Sequence, residues 1–99
     1  MENINSHDIH REKELYTEQK KALQDAIVRA EDKMQQAYKA YETLENDASV
    51  DDATVERACA QYEQAYDLYH LYKDKCDAMD NIIHLLDRLQ QEVEYLETC

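Results

Sequence analysis

Residues 45–52 read Glu45-Asn46-Asp47-Ala48-Ser49-Val50-Asp51-Asp52, the one stretch of the 99-residue chain with the character of a break. Glycine and proline are both absent, so the two usual interrupters of a helix are missing everywhere. Asparagine is the next best residue for the left-handed conformation that ends a helix, which marks Asn46 as a stop. Ser49 followed by Asp52 reads as a capping box, with Asp51 and Asp52 in a first turn where the helix dipole favours negative charge. A similar start lies at Asn5-Ser6-His7-Asp8. The expected elements are helix 1 at about 7–46, a turn at about 46–50 and helix 2 at about 50–97. A connection this short sends the second helix back along the first, giving an all-α, antiparallel two-helix hairpin. One unbroken rod, dimerising along its length, is the competing arrangement, and the break counts against it.

Outward from the break, the heptads agree. In the first half Ile9, Tyr16, Leu23, Ala30, Ala37 and Leu44 recur every seven residues, with Ile27, Met34, Tyr41 and Ala48 between them. Lys13 and Lys20 interrupt that second row. In the second half one row is Val55, Tyr62, Tyr69, Cys76 and Ile83, and the other is Ala58, Ala65, Tyr72, Met79, Leu86 and Val93. A period of 3.5 sustained this long is the signature of coiled-coil-like packing. Folding at the break faces residues whose numbers sum to about 98, which sets small alanines of helix 1 against tyrosines of helix 2.

Composition narrows the function. Alanine, glutamate, glutamine, leucine and lysine favour helix, and 43% hydrophobic residues in clear periods argue against a disordered acidic chain. The net charge of −12 disfavours direct contact with nucleic acid or an anionic membrane, since both attract positive surfaces. Residues 1–48 hold 11 acidic and 7 basic side chains, and residues 49–99 hold 12 and 4, so the second half carries most of the charge. Cys59, Cys76 and Cys99 make no CxxC pair, and an odd number of thiols fits a reducing compartment. Met1-Glu2-Asn3-Ile4-Asn5 has neither a basic nor an apolar run, so no signal peptide is expected and the chain reads as cytoplasmic and soluble.

Three constellations could carry function. Tyr62, Tyr66, Tyr69 and Tyr72 crowd into eleven residues; most belong to the seam, while Tyr38 and Tyr66 lie off it and are interface candidates. Leu68, Ile82, Leu89 and Leu96 flank the helix 2 seam, with Leu71, Ala78 and Leu85 beyond them. This arc is wider than one neighbouring helix can cover. It expects either a dimeric helical bundle or a partner's amphipathic helix. Asp67, His70, Asp74, Asp77, Asp80, His84 and Asp87 form an acidic stripe, which His7, His10 and Glu14 could meet at its far end. Metal sites in bundles use Glu-x-x-His pairs on facing helices. No second such pair lies opposite, so a solvated acidic face is expected, with no metal and no cofactor. No nucleophile–base pair or glycine loop suggests an enzyme.

In size, acidity and helix content the chain resembles the small acidic coiled-coil chaperones of bacterial type III secretion systems, a likeness of build carried by no motif. It implies a chaperone or adaptor that shields an amphipathic segment of a protein partner, working as a homodimer or hetero-oligomer. Regularly spaced carboxylates suggest an alternative, an acidic inhibitor that imitates the phosphate backbone and blocks a nucleic-acid-binding protein. A purely structural coiled-coil homodimer is the third reading.

Overall fold

A computed structural model describes residues 5–98. Met1–Ile4 and Cys99, and with them the expectations on a signal peptide and on the third thiol, lie outside the described residues. The chain is an all-α two-helix hairpin of α1 (Ser6–Glu45, 40 residues) and α2 (Asp52–Thr98, 47 residues).

The break is where the sequence places it, but its chemistry differs. No described residue has positive φ, so Asn46 does not end α1 in the left-handed conformation. Instead the Asn46 N–H still donates to the Glu42 carbonyl in the α pattern at 3.1 Å, and the chain tightens just beyond it, where the Asp47 N–H donates to the Leu44 carbonyl at 3.2 Å. Ser49 is not the cap of α2. Its N–H and hydroxyl donate to Asp47 Oδ1 at 2.9 and 2.6 Å, a local turn that uses up the serine. Asp51 takes the cap: its Oδ1 accepts the Thr54 N–H at 3.0 Å, while its carbonyl accepts the Val55 N–H at 3.3 Å. The second helix therefore begins at Asp52, two residues later than expected, and Ala48 is exposed in the turn rather than part of the seam.

Packing divides along the helices into two units. The terminal unit takes in the described residues of Met1–Gln24 and Lys75–Cys99, and the turn unit is Asp25–Asp74. In the terminal unit Ile9, Cys76 and Met79 are buried, with Tyr16, Leu23, Ile83, Leu86 and Val93 half-buried around them. In the turn unit only Ala30 and Ala58 reach the buried class, and Ile27, Met34, Ala37, Tyr41, Leu44, Val55, Tyr62, Ala65, Tyr69 and Tyr72 are half-buried. Every heptad position expected in the seam, Ala48 apart, lies in it. Neither unit has a thick core, as two helices alone enclose little volume.

The facing register agrees with the expected one to within about two residues, and in the turn unit Ala30 and Leu68, whose numbers sum to 98, line one cleft. Lys13 meets Asp87 and Lys20 meets Asp80 in the terminal unit, and in the turn unit Tyr38 meets Tyr62; these paired numbers sum to 100. A difference of this size is within what helix geometry produces. Each side chain leans toward the N-terminus of its own helix and covers a spot about one position behind its Cα. Two antiparallel helices each add one residue, so touching side chains sum to about two more than facing backbones.

Candidate protein-interaction faces

The terminal unit has two chemically different flanks. On one, the Lys20 ammonium donates to Asp80 Oδ1 at 2.6 Å, and Lys13 pairs with Asp87 in the same way. The lysines that interrupt the seam of α1 thus reach over its edge to carboxylates of α2, laying their methylene stems on the seam while the charged heads stay near water. The hydrogen bond from Lys20 holds the Asp80 carboxyl below its usual range, and the bond to Asp80 raises the Lys20 ammonium above its own.

The other flank of the terminal unit is apolar. Ile82, Leu85, Leu89 and Leu96 follow one another at spacings of three, four and seven, so they form one strip along α2. All four are exposed, Leu85 to 63% and Leu96 to 71%. Leu15, exposed on α1, takes the flank that the heptad phase places beside this strip. Asp80 and Ile82 are two residues, or about 200°, apart on one helix, so the charged and apolar flanks point away from each other.

The same division holds within the turn unit. Leu68 and Leu71 are exposed, and Leu68 shares a shallow cleft with Ala26, Ala30, Lys33 and Tyr72. From the opposite flank project the aromatic rings. Tyr38 packs against Tyr62 at 5.3 Å between centroids, Tyr62 against Tyr66 at 6.2 Å and Tyr66 against His70 at 4.3 Å. Tyr38 and Tyr66 remain 46% and 44% exposed, while Tyr62 and Tyr69 are half-buried. The tyrosines and leucines that sequence groups as partner-facing therefore occupy different flanks.

Of the acidic stripe, Asp67, Asp74 and Asp77 are exposed, whereas Asp80 and Asp87 are half-buried and paired with lysine. His10 contacts Glu14 of its own helix at 2.9 Å. Among the described residues no three His, Cys, Asp or Glu side chains converge in a way that could hold a metal ion. Desolvation, then the neighbouring Glu63 carboxylate, pushes the Cys59 thiol up, away from the thiolate a nucleophile needs.

Three features escaped the sequence reading. Val28 and Tyr95 are exposed large apolar residues, and an outward heptad position was the available signal for both. Glu97 accepts hydrogen bonds from the first residue of α1, and no local signal announces a contact between residues so far apart in sequence.

Fold and faces together define an all-α helical hairpin with apolar, aromatic and acidic surfaces. No described helix is long and apolar enough to cross a membrane. Comparison with protein-family models, curated proteins and solved structures finds no match.

Proposed function

We propose that this chain is a protein-binding hairpin, a chaperone or adaptor whose α2 shields an amphipathic segment of a partner protein, and that it does not act as an enzyme. The observation that carries this reading is the exposed strip Ile82–Leu85–Leu89–Leu96. Large apolar side chains left in water forgo about 1.5–3 kcal/mol each relative to burial, and a strip at helical spacing matches a helix laid along it. A partner's helix is favoured over a second copy because each copy carries −12, and self-association gathers like charge. The free thiols Cys59 and Cys76 fit the reducing cytoplasm, where we place the protein.

The acidic-inhibitor reading has less support. Two of its five carboxylates, Asp80 and Asp87, already answer lysines of the same chain, which removes them from the charge a basic protein would meet.

The test is co-purification from the native cell with and without the double substitution Leu85→Asp/Leu89→Asp. A partner that stays bound to the unaltered chain in high salt and is lost from the double variant supports the proposal. Retention by the variant, or release by salt alone, contradicts it, since apolar contacts resist screening and ionic ones do not.

A further inference from the structure

We propose that the aromatic cleft on α2 of the turn unit docks an arginine side chain from a basic segment of a protein partner. The cleft, about 360 Å³, is lined by Tyr62, Glu63, Tyr66 and Asp67. It holds two tilted rings 6.2 Å apart, and Tyr66, which packs on His70 at 4.3 Å, is still 44% exposed. Two exposed carboxylates complete its lining. Among the described residues Asp67 pairs with no lysine, arginine or histidine, and Glu63 accepts a side-chain hydrogen bond only from the Cys59 thiol, at 3.8 Å.

Ring faces carry negative charge and attract cations, most strongly where carboxylates stand beside them. The chain already uses one of its tyrosines in this way: the Lys73 ammonium lies 5.5 Å from the Tyr69 centroid. A guanidinium suits the cleft better than an ammonium. It is planar, stacks on an aromatic face while donating from its edge to carboxylate, and is more weakly hydrated. The adjoining cleft, which shares Tyr62, is lined by Lys39 and has no carboxylate, so the cation is directed to the Glu63–Asp67 side. Tyr66 and Leu68 point about 200° apart on α2, and the proposal does not rest on any leucine contact.

The probe is a helical peptide with four arginines on one face, beside a twin carrying citrulline, which keeps the shape and loses the charge. Binding is followed by the ring resonances of Tyr62 and Tyr66 in ¹³C-labelled protein. The arginine peptide is expected to move those two resonances, and the twin to bind at least tenfold more weakly. Tyr66→Leu, which keeps apolar bulk without a π face, should weaken binding about threefold to tenfold, and Tyr66→Phe should preserve it. Glu63→Gln/Asp67→Asn should weaken it to a similar degree. Equal binding of the citrulline twin, or undiminished binding by Tyr66→Leu, overturns the proposal. The second result would show that net charge alone draws the peptide.

Discussion

Ser6 gives both its backbone N–H and its hydroxyl to the Glu97 carboxylate, at 2.8 and 2.9 Å, across 91 residues of chain. A carboxylate near the end of α2 thereby satisfies an orphan donor at the start of α1, where the helix dipole favours an anion. Asn5 adds a second cap, its Oδ1 accepting the Asp8 N–H at 3.0 Å.

Glu97→Gln should therefore loosen the first turn of α1 without altering the turn at the other end of the helices. A charge at a helix N-terminus contributes up to about 1 kcal/mol, or roughly fivefold in amide exchange. Exchange at Ser6–Ile9 should rise by that factor, with exchange near Asn46–Asp51 unchanged. Asn5→Ala, which removes the local cap, should cost about 1 kcal/mol, read from urea denaturation.

The Lys20–Asp80 pair predicts a pH dependence with a defined sign. Asp80 has a lowered folded-state pKa, chiefly through the hydrogen bond from Lys20. Its stabilisation is thus present above the ordinary carboxylate value of 3.8 and is lost as pH falls through the lowered one. Lys20 is raised, chiefly through the same bond. Its contribution is present below 10.5 and is lost as pH rises through the raised value. Asp80→Asn should flatten both limbs of a plot of melting temperature against pH.

At the turn, Asp51→Ala should lower the melting temperature, Asp51→Asn should largely keep it, and Ser49→Ala should leave the start of α2 in place. Hydrogen bonding by Thr54 holds the Asp51 carboxyl below its usual range, so this cap too weakens only in acid. Circular dichroism of the three variants checks the order; a larger loss in Ser49→Ala than in Asp51→Ala would restore serine as the cap.

Core and strip should respond differently in the isolated chain. Ile9, 2% exposed, should cost about 2–5 kcal/mol on truncation to alanine. Leu85→Ala should fall within about 0.5 kcal/mol of the unaltered protein. Denaturation of both variants at low concentration makes the comparison, and a large loss in Leu85→Ala would mean the strip is already covered.

These contrasts show where sequence reading succeeds. Tyr16, Leu23, Met79, Leu86 and their heptad partners were legible because the 3.5 period alone fixes which side of a helix faces its neighbour. The exposure of Leu85 and Leu89 followed from the same wheel, since their arc exceeds what one helix covers. Lys13 and Lys20 looked like faults in the pattern because their partners, Asp87 and Asp80, become neighbours only when the register is known. Ser49 and Asp51 are both good caps, and the choice went to Asp51 because Asp47 had already engaged the serine. Glu97 was illegible for a different reason: its contact with Ser6 is a tertiary event that no local propensity encodes.

Calorimetric titration decides whether the Ile82–Leu85–Leu89–Leu96 strip holds an amphipathic helix of another protein. The ligand is a designed helical peptide with leucines at i, i+3, i+7 and i+14, and the proteins are the unaltered chain and Leu85→Asp/Leu89→Asp. Binding by the unaltered chain should carry a negative heat-capacity change and be little altered by salt. In the double variant, with two leucines worth at least about 1.5 kcal/mol each, it should weaken by roughly a hundredfold. Equal affinity for both proteins, or no binding by the unaltered chain, would contradict that role for the strip.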